Sequence, residues 1–320
     1  MKVLITGADG YIGRALARRL AAPGAQLQGR PIERLLLCDL RLPAAPAAGC
    51  VATVEGSIAE AGVIEAITSD APDVVFHLAS IPSGQAEAQY ALGLQVNVLA
   101  TLALAQALAA PAARRPAPTV VFTSSIAVYG TPLPARIDDD TPLCPALSYG
   151  AHKQMAEIFL ADATRRGHLQ ARMLRLPGVV ARPPTPTGAL SAFSSELMRA
   201  LVQRRPQVCP VSPQATLWLL SLQACLDNLL HAAECAPDRL GGTAAFNLPA
   251  LHVRVDALVQ AFDAAFPGAA AGVTYRPDEA LEAQFGRLPP LHTARADAAG
   301  FRHDGSLPVL VQRVAAALAE

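Results

Sequence analysis

The chain of 320 residues carries no net charge: Lys+Arg 26 balance Asp+Glu 26, and only 16% of residues are charged. A protein that grips nucleic acid through its phosphates needs a basic surplus, so that general mode of action is excluded. The low charge predicts modest solubility and fits an oligomer. The 6 cysteines, at 38, 50, 144, 209, 225 and 235, form no Cys-x-x-Cys pair and have no histidine at zinc-ligand spacing. Reduced, mostly buried thiols in a cytoplasmic protein are the expectation, with an incidental reactive thiol as the alternative and no metal centre. The N-terminus lacks the charged head, apolar stretch and cleavage site of a secretory signal. No apolar run is long and clean enough to span a bilayer. Residues 92–110 come nearest, but Gln95, Asn97, Thr101 and Gln106 interrupt them, which predicts a buried helix and no membrane partner. There is no internal repeat.

What is there is a globular composition, with 52% hydrophobic residues and a mean hydropathy of +0.30. Short unalternating apolar runs at 2–6, 34–39, 51–55, 73–78, 119–124 and 171–176 suit strands buried on both faces. Helical spacing fills 11–22, 59–69, 87–110 and 149–167. Strand and helix alternating in this way define an α/β fold with a doubly wound parallel sheet over residues 1–176. The rest, 177–320, is expected to be mainly a smaller substrate-binding region, with about 214–248 returning to the first unit. Its predicted elements are helices at 193–204, 221–234, 253–266 and 308–319 and a late strand at 244–248.

The first strand opens into Gly7-Ala8-Asp9-Gly10-Tyr11-Ile12-Gly13 and then a helix. Glycines at this spacing allow a tight turn, close approach of backbone to a pyrophosphate, and packing of helix on strand. The helix N-terminus then offers free N–H groups to the phosphates. Asp39 ends the second strand, where an acid bonds ribose hydroxyls and repels a 2′-phosphate, favouring NAD over NADP. A solvated loop aspartate is the other reading, and Arg41 two residues on tempers the preference.

Further along, the fifth strand ends in Thr123-Ser124-Ser125, and Tyr149-Gly150-Ala151-His152-Lys153 opens a helix. Tyr149 and Lys153 share a helix face. A tyrosine is a poor base at neutral pH, with an ordinary pKa of about 10. A nearby ammonium and an oxidised nicotinamide would favour its phenolate, and Ser125 could orient the reacting oxygen.

Taken together, these motifs resemble the extended short-chain dehydrogenase/reductases of the NAD-dependent epimerase/dehydratase family, over essentially the whole length. The residues carrying the resemblance are Gly7, Gly10 and Gly13, Asp39, His77-Leu78-Ala79, Asn97, Ser125, Tyr149 with Lys153, and Arg175-Leu176-Pro177-Gly178. The resemblance implies a Rossmann-type fold and NAD held by Gly7, Gly10, Tyr11, Ile12, Gly13, Asp39, Ser57, Ile58, Leu78, Ala79, Asn97, Tyr149, Lys153, Pro177 and Val179. It implies Tyr149 as acid/base, Lys153 as its tuner and nicotinamide-ribose ligand, and Ser125 as the holder of the substrate oxygen. Segments between the motifs, above all 81–88, 124–134, 139–143, 208–211 and 217–219, resemble a branch that oxidises the C2 hydroxyl of a four-carbon sugar acid with NAD. A homodimer built through the helices at 87–110 and 149–167 is expected on the same ground.

The chain departs from the pattern in places. Ser57 follows Gly56 where family members often carry Asp, no lysine follows Arg182 through Thr187, and Thr216 stands where an arginine is expected before Leu217. The last two bear on substrate identity more than on reaction type. For a sugar acid, Ser80, Ser83, Gln85, Ser125, Tyr149 and Arg182 are the candidate ligands, with Arg182 the best cation for the carboxylate. Ser83 and Gln85 read equally as a polar loop before a helix, and Arg182 as a surface arginine. His77 reads better as a satisfied core histidine than as a catalytic one. Asp138-Asp139-Asp140 reads as a solvated acidic loop, and Trp218 as pocket wall or core. The rival function is a nucleotide-sugar epimerase or dehydratase with tightly bound NAD, using Arg199, Arg204 and Arg205 for a diphosphate. A non-catalytic cofactor sensor fits poorly, because the tyrosine–lysine pair is present.

Overall fold

The computed structural model describes residues 1–109, 116–183, 192–240 and 245–319. Seven strands form one parallel sheet: β1 (Lys2–Thr6), β2 (Arg34–Asp39), β3 (Val51–Glu55), β4 (Val74–His77), β5 (Thr119–Ser125), β6 (Gln170–Leu176) and β7 (Ala245–Asn247). Their order across the sheet is β7-β6-β5-β4-β1-β2-β3. The chain therefore winds outward from β1 to one side, then jumps back and winds to the other. Ligands of such sheets bind in the crevice at the carboxyl ends of the strands flanking the reversal, here β1, β2 and β4.

Both faces of the sheet are covered, which is why its strands read as unbroken apolar runs. Val3, Ile5, Leu35, Leu37, Val74 and Phe76 face one core with the helices Tyr11–Leu20 and Leu222–Glu234. Leu4, Leu36, Val75, Val120 and Phe122 face the other, with the helices Ala61–Thr68, Ala100–Ala109 and Ser148–Arg165.

The structure departs from the sequence expectation in the helix over 87–110 and in the 214–248 region. The helix expected over 87–110 begins earlier, at Ser83, and is broken at Gln89. It then runs from Tyr90 through a π turn at Gln95–Leu99 to Ala109. The π turn is where Asn97 leaves the helix direction to bond a loop, a common site for such bulges. By length and composition Tyr90–Ala109 could cross a membrane, but half of its apolar window is buried within the fold. The strand Thr216–Ser221 joins a separate three-stranded sheet, between Gly178–Val180 and Leu251–Arg254. Of the 214–248 region it is the helix Leu222–Glu234 and β7 that pack against or join the main sheet. Ser221 caps that helix by accepting from Ala224 N, so one residue ends the small sheet and starts the returning helix. Residue 244, expected in the last strand, lies outside the described residues.

Candidate active site

The carboxyl ends of the parallel strands bring most of the predicted residues to one crevice. Gly7, Gly10, Tyr11, Ile12 and Gly13 follow β1, Asp39 ends β2, Ser57 and Ile58 follow β3, and Leu78, Ala79 and Ser80 follow β4. Ser125 ends β5, and Pro177 and Val179 follow β6.

The glycine turn is as tight as the spacing requires. Gly7 has a φ of +71°, and a Cβ there would stand 2.6 Å from Ala79 N; one on Gly13 would stand 2.1 Å from Gly7 O. Gly10 caps the helix Tyr11–Leu20 without a side-chain bond, and no acidic residue stands in the first turn. Its leading N–H groups are thus unclaimed by side chains, which fits the pyrophosphate of a dinucleotide. Asp39 is anchored rather than loose: its Oδ2 accepts from Asp9 N at 2.8 Å and its Oδ1 from Leu40 N at 2.7 Å. A carboxylate has about four acceptor positions, so capacity remains for ribose hydroxyls. Ser57 makes only local contacts, accepting from Ala59 N at 3.2 Å.

Asn97 is buried and does not satisfy its own helix. Its Oδ1 accepts from Ile81 N at 2.7 Å and Ser80 Oγ at 3.1 Å, while Nδ2 donates to Ile81 O at 3.1 Å. It clamps the loop after β4 that carries Ser80 toward Tyr149. His77 is a satisfied core histidine, bonded to Thr6 Oγ1 at 2.7 Å and Thr101 Oγ1 at 2.9 Å. Burial, with help from the charge of Lys153, pushes it down to about 3.

Tyr149 and Lys153 lie one turn apart on the helix Ser148–Arg165. Lys153 is 1% exposed; its Nζ donates to Thr123 O at 2.7 Å and lies 5.5 Å from the centre of the Tyr149 ring. Burial raises Tyr149, and the group that most opposes this is Arg182, followed by hydrogen bonding from Ser80 and Ser125. Burial also takes Lys153 down to about 7, with Glu157 pulling upward. Arg182, read in the sequence as a carboxylate ligand, is thus also a cation acting on Tyr149.

Arg182 is held in place by Nε donating to Val179 O at 3.1 Å and N donating to Ser195 Oγ at 3.1 Å; Arg199 donates to its carbonyl. It shares with Tyr149, Ser125 and Ser83 a cavity of about 200 Å³. Gln85, half-buried on the short helix Ser83–Ala88, is not among the lining residues. Trp218 is both wall and core: it lines the cavity, is 2% exposed, and donates Nε1 to Pro289 O at 2.7 Å. Sequence reasoning missed Thr131, Gln284, Phe285 and Leu288, which also line it. Thr216, standing where an arginine was expected, instead fixes this far wall by donating Oγ1 to Leu288 O at 2.8 Å. Residues 184–187, where a lysine was expected, lie outside the described residues. The acidic loop is tied to arginine, with Arg295 bonding Asp139 and Asp140. Among the described residues no cluster of metal-ligating side chains is found.

A doubly wound sheet, a glycine turn and a tyrosine–lysine helix meeting at its crevice define the class. The NAD dependent epimerase/dehydratase family matches residues 3–216, and the chain belongs to that family. It is a nicotinamide-dependent enzyme of the extended short-chain dehydrogenase/reductase type. Within the family it is 38% identical over 317 residues to D-erythronate dehydrogenase of Cupriavidus necator, covering 98% of this chain and 97% of that one. It is 34% identical to D-erythronate dehydrogenase of Haemophilus influenzae over 258 residues, 80% of this chain and 79% of that one. Among solved structures it is similar to the nucleoside-diphosphate-sugar epimerase of Agrobacterium tumefaciens, with a TM-score of 0.91 and 33% identity over 98% of this chain and 92% of that one.

Proposed function

We propose that the chain is an NAD-dependent dehydrogenase that oxidises the C2 hydroxyl of a four-carbon sugar acid, D-erythronate, to the 2-oxo acid. The observation that carries this reading is the likeness to D-erythronate dehydrogenase along the whole chain, with both halves of the fold included. The cavity chemistry supports it, since Tyr149, Ser125 and Arg182 line one small space. Asp39 supports NAD as the cofactor.

In this reading Arg182 pairs with the substrate carboxylate, and Ser83 contributes a hydroxyl contact, while Ser80, which does not line the cavity, acts through Tyr149. Ser125 donates to the C2 oxygen and aims it at Tyr149. Tyr149, as phenolate, accepts the hydroxyl proton while the C2–H bond releases hydride and the C2–O bond becomes a carbonyl. An oxidised nicotinamide, when bound, would supply the hydride acceptor and a positive charge. Arg182 and Lys153 provide the fixed positive charges that favour phenolate, working in a site where burial opposes it. Apolar side chains, among them Phe193, Leu217 and Trp218, wall the cavity and limit the water around the reacting atoms.

The chain is proposed to act as a homodimer. Tyr90, Leu92, Leu99, Met155 and Ile158 are exposed on the helices around Tyr90–Ala109 and Ser148–Arg165. Two copies of this surface meeting across a two-fold axis would cover it. An Ile158→Glu substitution is then expected to give a monomer by light scattering.

The likeness to a nucleoside-diphosphate-sugar epimerase favours a second reading, with no net redox change. Against it, Arg199 is buried and bonded to the Arg182 carbonyl, and Arg205 bonds Gln203, so two of the arginines proposed for a diphosphate are engaged. Purified protein mixed with NAD and D-erythronate, with L-threonate and a nucleotide sugar alongside, separates the two. NADH formed with D-erythronate supports the dehydrogenase; silence with the acids and conversion of the nucleotide sugar supports the epimerase.

A further inference from the structure

One charged group beside the proposed catalytic pair has no part in the reaction above. Glu157 lies one turn beyond Lys153 on the same helix and is 4% exposed. Arg175 on β6 grips it with Nη2 donating to Oε2 at 2.8 Å and Nε to Oε1 at 3.0 Å, and the Ser124 hydroxyl on β5 donates to Oε1. Arg175 also donates Nη1 to Tyr129 Oη at 3.1 Å, and Tyr129 donates to Asn247 on β7 at 2.8 Å. A buried ion pair of this kind is weak evidence for stability, because desolvating both partners costs several kcal/mol. Its placement under Lys153 asks for another explanation.

The surroundings of Lys153 supply one. On its own helix it faces Tyr149, His152 and Glu157, and from β4 it feels His77. From β5 it receives the Thr123 carbonyl and the Phe122 ring, whose centre is 4.7 Å away. His77 and His152 are both pushed toward the neutral form, mainly by burial. Among the described residues Glu157 is the carboxylate that acts on Lys153, and burial otherwise favours the neutral amine.

We propose that Glu157 is a positioning residue that keeps Lys153 an ammonium, and that Arg175 and Ser124 set how much of its charge Lys153 feels. The proposal rests on the reading of Tyr149 and Lys153 as the catalytic pair. It makes the cluster across β5, β6 and the catalytic helix a setting for the pH range over which the enzyme works.

Lys2 and Lys153 are the only lysines in the chain, so ¹³C labelling at lysine Cε gives two signals whose titration can be followed by NMR on the full protein without substrate or cofactor. Lys2, half-exposed at the surface and paired with Asp70, serves as internal reference. Wild-type Lys153 is expected to titrate well below the ordinary lysine value, at about 7. Glu157→Gln removes the anion and leaves Arg175 uncompensated, so both effects push Lys153 lower, by about one unit or more. Arg175→Gln removes the guanidinium that competes for the carboxylate and moves the titration upward. Glu157→Asp, which keeps the charge, stays within about half a unit of wild type. The opposite signs make either Gln variant decisive if the other does not fold, and wild type alone tests the starting point. A Lys153 that titrates at the ordinary lysine value of about 10.4, or that stays in place in a folded Gln variant, overturns the proposal. In assays, Glu157→Gln should match wild-type kcat/KM at low pH and lose about tenfold for each unit of downward shift at high pH. A shifted Lys153 with an unchanged pH profile would place the failure in the catalytic reading instead.

Discussion

Replacing Asp39 by serine tests the cofactor assignment quantitatively. In the wild type the carboxylate is fixed by Asp9 N and Leu40 N at the end of β2, on the reversal side of the sheet. A 2′-phosphate arriving within about 4 Å meets a repulsion of roughly 4 kcal/mol per unit charge at an effective dielectric of 20. Asp39 is half-buried, so solvent screening about halves this, leaving roughly 2 kcal/mol or more against NADP. Charge-assisted bonds to the ribose hydroxyls add about 1.5–3 kcal/mol in favour of NAD. The wild type should therefore bind NAD at least about a hundredfold tighter than NADP, since 1.4 kcal/mol is a factor of ten. Asp39→Ser keeps one short acceptor for the backbone N–H groups and removes the charge. Its NAD affinity should fall about tenfold or more while NADP affinity holds or improves. Calorimetric titration of both cofactors against both proteins reads the four constants. Equal wild-type affinities, or a variant whose NAD/NADP ratio is unchanged, would refute the role given to Asp39.

Tyr149→Phe should lower kcat by about a hundredfold or more, the usual weight of a positioned acid/base, while the NAD dissociation constant stays within a few-fold; full activity would remove Tyr149 from the mechanism. Arg182→Leu should raise KM for the sugar acid by about tenfold to a hundredfold through the lost ion pair. Because Arg182 also favours the Tyr149 phenolate, the same variant should need higher pH for its best kcat; an unchanged KM and pH profile would contradict both roles. His77 contributes to acid sensitivity. Its folded value is depressed to about 3 from an ordinary 6.5, so its stability contribution is complete above about 6.5 and is lost as pH falls toward 3. Near pH 4.5 the loss is roughly 2–3 kcal/mol, and denaturant midpoints of His77→Gln should fall less steeply between pH 7 and 4.5 than those of wild type.

The nucleotide half of this fold is legible in the chain because parallel strands buried on both faces leave an unbroken apolar run. Lys2–Thr6 and Arg34–Asp39 carry that signal cleanly and end at Gly7 and Asp39, residues that turn the chain or meet the ligand. The π turn around Asn97 is not legible, since it answers to a loop 16 residues away in sequence that needs its N–H and C=O satisfied. Thr216–Ser221 looks like any buried strand; only its register with Gly178–Val180 and Leu251–Arg254 places it in the small sheet. The far wall of the cavity, with Gln284, Phe285 and Leu288, comes from a segment with no local chemical signature. Glu157 draws no reading from the sequence, because its burial beside Lys153 is a tertiary fact.

The most direct measurement of the central claim uses D-erythronate carrying deuterium at C2. Deuterium is expected to pass to C4 of the nicotinamide, one atom per 2-oxo acid formed, with a slowed rate in the chemical step. Product that forms without deuterium in the nicotinamide, or label that stays on a substrate whose stereochemistry has changed with no net NADH, would contradict it.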